Sequence, residues 1–249
     1  MNPLRHKLFR DLRRLWIQAI AAGTVLGCGI AIFVMSIGTY ASLETARDDY
    51  YQKSKMADLT TTLVRAPDSI APFLALLPGV AAIDTRTVGF GLIDLSTVDE
   101  PVTAQLLSLP DGRRPTVNDL VLRAGRWPEA HRTNEALLNE AFATAHGIEP
   151  GGTISLLIRG ERKRFNIVGV ASSPEFVFAV APGSILPEPG RFGVLWINRS
   201  TLASALELDG AFNDVVLRVS SEKSRATVSA SIDERLTRYG NRGVYGRER

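Results

Sequence analysis

A run of 29 residues without a charged side chain, residues 15–43, constrains this chain more than any other feature of its sequence. A bilayer core of about 30 Å is crossed by roughly 20 apolar residues in a helix that rises about 1.5 Å per residue. The run therefore predicts a transmembrane helix, which we place at residues 15–41, and a chain anchored in a membrane.

The charges on either side of this run predict its orientation. Five basic side chains precede it, at Arg5, Lys7, Arg10, Arg13 and Arg14. Acidic side chains follow it, beginning with Glu44. By the positive-inside rule, residues 1–14 form a basic cytoplasmic segment and everything after the span is extracytoplasmic.

The outer region is close to electrically neutral. Beyond residue 14 the chain carries 24 basic and 25 acidic side chains, so the basic surplus lies at its start. This balance excludes nucleic acid as a partner of the outer region on electrostatic grounds. For the basic segment at the start of the chain, the expected partner is membrane lipid with anionic headgroups. The one cysteine, Cys28, lies within the apolar run, which continues past it and so indicates an uncleaved anchor instead of a lipoprotein signal.

Small residues recur every four positions in the span and share one helix face. They are Ala19, Gly23, Gly27 and Ala31. Small side chains let a second helix approach closely, which favours helix association in lipid, so this stripe is a candidate helix-packing face. Gly and Ala are also common in membrane helices, and the alternative is a stripe without a partner.

The region after the span predicts a stalk and one mixed domain. Residues 42–57 contain neither Pro nor Gly and keep helical spacing, so we expect the membrane helix to continue as a stalk. Residues 58–249 mix strands and helices without regular alternation, which favours an α+β domain. Its clearest elements are a hairpin over 153–170, a helix over 139–146, and a helix over 201–208 with Ser200 as its cap.

A long irregular segment, residues 172–192, carries apolar side chains among prolines and glycines. Four of them are candidate contacts to a partner: Phe176, Phe178, Ile185 and Leu186. Long loops of this kind are often functional and can present an apolar patch. The alternative, which is the commoner outcome, is that these side chains fold back onto the domain core.

The sequence contains no motif for catalysis or for binding a cofactor. It has no Walker-type phosphate loop and no Gly-x-Ser-x-Gly segment. His131 and His146 have no paired His or Cys at metal-ligand spacing. We therefore expect no enzyme activity, no metal and no cofactor, and an anchored envelope hydrolase is the weakest functional hypothesis.

Five short motifs follow one another through the outer region. They are Leu77-Pro78-Gly79-Val80, Ala124-Gly125-Arg126-Trp127-Pro128, Glu135-Ala136-Leu137-Leu138-Asn139-Glu140, Gly147-Ile148-Glu149-Pro150-Gly151-Gly152 and Val168-Gly169-Val170. In order and spacing they resemble the MacB-like periplasmic core domain. The preceding span and stalk resemble the first membrane helix of MacB/FtsX/LolC/DevC-type ABC transporter permeases.

This resemblance implies the N-terminal part of a permease subunit in a bacterial inner membrane, with its main domain in the periplasm. Such a subunit couples ATP hydrolysis by a separate ATPase to export or extracytoplasmic mechanical work. The implied partners are the ABC ATPase subunit, which binds the ATP, other permease helices or a second permease copy, and a periplasmic adaptor.

Relatives carry further membrane helices after the outer domain, so the resemblance also leads us to expect a truncated or split permease. The alternative function is a single-span, membrane-anchored binding or interaction module without transport activity.

Overall fold

The computed structural model of the protein describes residues 3–95, 102–176 and 188–246. The elements in chain order are α1 (Pro3–Lys53), β1 (Leu59–Pro67), α2 (Ala71–Ala75), β2 (Val80–Arg86), β3 (Val88–Asp94), β4 (Val102–Leu109), β5 (Val121–Gly125), β6 (Glu135–Asn139), α3 (Glu140–His146), β7 (Thr153–Ile158), β8 (Glu161–Ser172), β9 (Phe192–Asn198), α4 (Arg199–Ala205), β10 (Ala211–Val219), α5 (Arg225–Leu236) and β11 (Val244–Gly246). The chain divides into two compact units, Met1–Tyr50 and Tyr51–Arg249.

The first unit contains most of α1, including the uncharged run. The segment Leu15–Lys53 is the one helix, among the residues that the structure describes, long and apolar enough to cross a membrane. The large apolar side chains described from Leu15 to Leu43 are exposed. The hydroxyl groups of Thr24 and Ser36 donate to carbonyl oxygens one turn earlier, so these polar side chains are satisfied within the helix.

The second unit contains a four-stranded sheet and a barrel. The sheet has the strand order β11-β1-β10-β2, and every neighbouring pair is antiparallel. Helices α2 and α5 cover one face of it. The core under them consists of Leu59, Leu63, Ala66, Leu74, Leu77, Phe212, Val215, Leu217, Val228, Ile232 and Leu236. We call these four strands and two helices the sheet lobe.

Strands β3 to β9 form the barrel. Their pairing follows the order β5-β8-β6-β9-β4-β3-β7, and a further pairing of β7 with β8 closes a ring of six strands. The β4–β9 and β6–β8 pairs are parallel and the others antiparallel. The interior is apolar and includes Ile93, Leu106, Leu138, Phe142, Ile154, Leu156, Phe165, Leu195 and Leu202. With α3, α4 and the connecting loops, these strands form the barrel lobe.

The α+β class predicted from the sequence is confirmed, and so is the hairpin, in which β7 pairs with the first half of β8. The predicted cap of α4 is wrong. That helix begins at Arg199 with Asn198 as its cap residue, and the amide of Ser200 lies within the first turn. This amide donates to the carboxylate of Asp111 at 3.2 Å, so a distant side chain accepts a hydrogen bond from the first turn of α4.

The glycines of two motifs meet in the barrel lobe. A Cβ atom added to Gly169 would lie 2.6 Å from the carbonyl oxygen of Arg126, and one added to Gly125 would lie 2.2 Å from that of Val168. No side chain fits at these distances. Glycine is therefore required at both positions for β5 to pack this closely against β8.

Candidate functional site at the junction of the two lobes

Charged side chains lie where the sheet lobe meets the barrel lobe. Arg86 on β2 and Asp214 on β10 are register partners on antiparallel strands, and both are buried. The Oδ1 atom of Asp214 lies 2.8 Å from Nε of Arg86 and 2.7 Å from its Nη2 atom. Because the two strands are paired, this ion pair is fixed within the sheet lobe.

Glu175 reaches the same guanidinium group from the barrel lobe. It lies in a short 3-10 turn, Pro174–Phe176, that follows β8. Its carboxylate accepts hydrogen bonds from Nη1 and Nη2 of Arg86 at 2.7 and 2.8 Å. This bidentate contact uses the planar fork of the guanidinium group. One arginine therefore binds two carboxylates, one from each lobe.

The charges of this cluster depend on one another. Burial opposes the charge on Arg86, but the attraction of Asp214 and Glu175 outweighs it and raises the pKa of the guanidinium group. Burial also raises the pKa of Asp214, and the charge of Glu175 acts in the same direction, while Arg86 offsets part of the effect. The positive charge of Arg86 therefore offsets the free-energy cost of placing two neighbouring carboxylates in a buried site.

Asn118, in the loop between β4 and β5, connects the cluster to the residues that follow α1. Its Nδ2 atom donates to Oε2 of Glu175 at 3.0 Å, and its Oδ1 atom accepts from the amide of Ala57 at 2.7 Å. The amide of Asn118 also donates to the carbonyl oxygen of Lys55 at 2.9 Å. Residues 55–57 are therefore held by both the side chain and the main chain of one loop residue.

The end of α1 has a defined geometry. The amide of Met56 donates to the carbonyl oxygen of Tyr51 at 2.9 Å, and the amide of Lys55 donates to that of Gln52 at 3.1 Å. Lys55 itself has a φ angle of 50°, in the left-handed region. This is the Schellman arrangement, which ends a helix in a fixed turn. The turn lies within the second unit and leads from Tyr51 to Ala57.

Two further polar contacts cross between the lobes. The carboxylate of Asp84 on β2 accepts from the amides of Thr116 and Val117 at 2.5 and 2.8 Å. The side-chain amide of Asn213 on β10 bonds both main-chain groups of Val88, at 2.7 and 2.8 Å. These directional polar contacts join the lobes together with a small apolar cluster of Ala57, Val117 and Val216.

A cavity of about 20 Å³ lies beside Arg86, with Asp84, Ser108 and Trp196 among its lining residues. This volume holds about one water molecule and no organic substrate. Within residues 3–95, 102–176 and 188–246, no three His, Cys, Asp or Glu side chains are grouped to hold a metal ion.

The candidate packing stripe lies on α1, away from this junction in sequence. Cβ atoms added to Gly23 and Gly27 would meet nothing within 4 Å, and Ala31 is exposed. The side chain of Ala19 is not among those described. The described part of the stripe is an open surface, and a helix packed against it stays a prediction.

Of the four predicted loop contacts, the structure describes Phe176. The others, Phe178, Ile185 and Leu186, lie outside the described residues. The half-buried ring of Phe176 packs against Trp196 on β9, with ring centroids 6.2 Å apart and an interplanar angle of 67°. Since Phe176 directly follows Glu175, this contact attaches the turn that carries Glu175 to the barrel lobe.

Sequence reasoning missed Arg86, Asp214, Glu175 and Asn118. One signal was present, because the charges of Asp84 and Arg86 directly follow the four apolar residues 80–83. Isolated charges of this kind indicate buried, paired groups. Their partners could not be chosen from the sequence, since 128 positions separate Arg86 from Asp214 and 89 separate it from Glu175.

Comparison with known proteins gives one family and several similar folds. The family model of the MacB-like periplasmic core domain matches residues 19–235. No curated protein matches the chain. The chain is similar to the extracellular domain of the noncanonic ABC-type transporter YknZ from Gram-positive bacteria, with 9% identity, a TM-score of 0.49, and coverage of 77% of this chain and 100% of that one. It is also similar to the periplasmic region of MacB from Actinobacillus actinomycetemcomitans, with 12% identity, a TM-score of 0.48, and coverage of 79% and 91%.

Proposed function

This chain belongs to the MacB-like periplasmic core domain family of ABC-type transporter permeases, and on that premise we propose that it transmits force across a membrane. In this proposal it is the N-terminal part of a permease subunit. Its stalk and periplasmic domain couple ATP hydrolysis by a separate cytoplasmic ATPase to export or to mechanical work outside the cytoplasm.

The observation that carries the proposal is the pairing of the first and last strands of the domain. Leu59, at the start of β1, is the register partner of Gly246, at the end of β11. Residues opposite each other in an antiparallel pair are about 5 Å apart. The start of β1 and the end of β11, the last described strand, therefore lie side by side in the sheet lobe. A relative movement of membrane segments joined to these two strands would act on both of them directly.

The hydrogen bonds of the residues that follow α1 would transmit this movement to the barrel lobe. Residues 55–57 bond Asn118, and Asn118 bonds Glu175 of the barrel lobe. A displacement of the end of α1 would thus load polar contacts at the lobe junction. Hydrogen bonds transmit such a load with direction because their energy falls steeply as their geometry is distorted.

The proposed partners are an ABC ATPase subunit, which binds the ATP, and either further permease helices or a second permease copy. A periplasmic adaptor is a further proposed partner. The helices would pack on the stripe that contains Gly23 and Gly27, where an incoming helix meets no side chain of this chain. We place the chain in a bacterial inner membrane with residues 1–14 in the cytoplasm.

The test is co-purification of the tagged full chain from its native membrane in detergent, with partners identified by mass spectrometry. An ABC ATPase together with a polypeptide of several membrane helices is expected. The variant Gly27→Leu should reduce the recovery of that polypeptide severalfold. The matched control is Gly29→Leu, since Gly29 also has no neighbour within 4 Å but lies on another face of the helix.

Recovery of neither partner, with a folded outer domain, would contradict the transporter proposal and favour an anchored binding module. Orientation is tested separately in a Cys28→Ser background. A membrane-impermeant thiol reagent added to spheroplasts should label Thr153→Cys and leave Lys7→Cys unlabelled. The reverse pattern would overturn the proposed topology.

A further inference from the structure

We propose that the Glu175–Arg86 contact is a releasable latch between the barrel lobe and the sheet lobe, and that Asn118 links its state to the residues that follow α1. The proposal assigns two states to the junction, one with Glu175 on Arg86 and one with Glu175 withdrawn. It deepens the proposed function by naming the contact that would yield under load. Its test uses the chain alone, so it can fail without affecting the co-purification result.

The first argument is the asymmetry between the two carboxylates on Arg86. The side chain of Asp214 is 6% exposed, and that of Glu175 is 24% exposed. Asp214 is fixed opposite Arg86 by strand pairing, whereas Glu175 lies in a turn of three residues. Glu175 can therefore reach water by a change of side-chain conformation, whereas the side chain of Asp214 is enclosed where its strand pairs with β2.

The second argument concerns the charge that release leaves behind. Breaking a buried ion pair is costly because it strands an uncompensated charge. Here Arg86 keeps two contacts to Asp214 through Nε and Nη2 when Glu175 withdraws. Release thus converts a cluster with two carboxylates into a simple buried pair of one arginine and one aspartate.

The third argument is the link to Ala57. When Glu175 withdraws, the Nδ2 atom of Asn118 loses its acceptor, while Oδ1 still faces the amide of Ala57. A side-chain amide held at one end is freer to rotate than one held at both. The released state should therefore expose the amide of Ala57 to exchange with solvent more often.

The experiment is hydrogen-deuterium exchange of the full chain in detergent, comparing the unmodified chain with Glu175→Gln. This variant keeps the shape of the side chain and removes its charge. We expect exchange in segments 54–58 and 116–120 to become about tenfold faster or more, with strands β4 and β9 unchanged. A second variant, Asn118→Asp, keeps an acceptor for Ala57 but repels Glu175, and should give the same pattern.

The matched control is Glu140→Gln, which removes a carboxylate from an exposed ion pair with Arg123 outside the junction. It should leave both segments unchanged. Equal exchange in Glu175→Gln and the unmodified chain would overturn the latch. So would faster exchange throughout the domain or failure of Glu175→Gln to fold, because either result would make Glu175 a permanent part of the structure.

Discussion

Arg86 and Asp214 lie opposite each other on β2 and β10, although 128 positions separate them in the sequence. Around this pair the protein places Glu175 from the barrel lobe and, through Asn118, the residues that follow α1. The guanidinium group of Arg86 therefore joins β2, β10 and the turn that carries Glu175, and Asn118 extends these contacts to Ala57. This arrangement makes the contribution of each group measurable by substitution.

Removal of the arginine should destabilise the domain strongly. Arg86→Leu leaves the buried carboxylate of Asp214 without a counter-charge, and we expect the free energy of unfolding to fall by about 3–5 kcal/mol. The double variant Arg86→Leu/Asp214→Leu should recover part of this loss, because no buried charge is then left unpaired. Thermal unfolding of the full chain in detergent, followed by near-ultraviolet circular dichroism, measures both. A double variant less stable than the single one would contradict this account.

A second ion pair gives the domain a predictable dependence on pH. The buried carboxylate of Glu135 accepts from Arg126 at 2.9 and 2.5 Å and from the amide of Glu129 at 3.0 Å. The hydrogen bonds from Arg126 lower the pKa of Glu135 despite the opposing effect of burial. A carboxyl group with a lowered pKa stabilises the folded state above its ordinary value of 4.5 and loses that effect as the pH falls through the folded value.

The variant Glu135→Gln tests this sign. Its Tm should be lower than that of the unmodified chain at pH 7, and the difference should shrink as the pH falls below about 4.5. Glu140→Gln, in an exposed pair with Arg123, is the control and should change the Tm little. A difference that stays constant down to pH 3 would show that Glu135 contributes through packing and not through its charge.

The closure of the barrel predicts losses of very different size for two neighbouring leucines of β7. Leu156 is fully buried in the barrel interior, whereas Leu157 is 38% exposed on the outside. Leu156→Ala should lower the free energy of unfolding by about 2–5 kcal/mol, and Leu157→Ala should cost well under about 1.5 kcal/mol. Chemical denaturation of the two variants under the same conditions measures the difference. Equal losses would contradict the closed ring of strands.

The approach of β5 to β8 predicts a large effect of a single methyl group. Gly169→Ala should destabilise the domain by about 1–3 kcal/mol or more, because its Cβ would lie 2.6 Å from the carbonyl oxygen of Arg126. Gly190→Ala is the matched control, since its Cβ would meet no atom closer than 3.7 Å. Similar values of Tm for the two variants would show that β5 can move away from β8 without cost.

The sequence by itself determined the features that depend on neighbouring residues. The uncharged run at 15–43 is a local property of composition, and helix α1 contains all of it. The β7–β8 hairpin follows from the turn at Arg159 and Gly160 between two strand segments, and the α+β class follows from the mixed order of elements. The motifs that resemble the MacB-like periplasmic core domain likewise lie in short segments.

Only the tertiary structure decided the junction of the lobes. Arg86, Asp214, Glu175 and Asn118 are ordinary polar residues in their local sequence, and none of them lies in a recognisable motif. Their roles arise from strand register and from the packing of a turn and a loop against β2, which are set by the balance of many long-range contacts. Burial then makes one arginine essential, because the free energy of a charge depends on the surroundings that the folded chain provides.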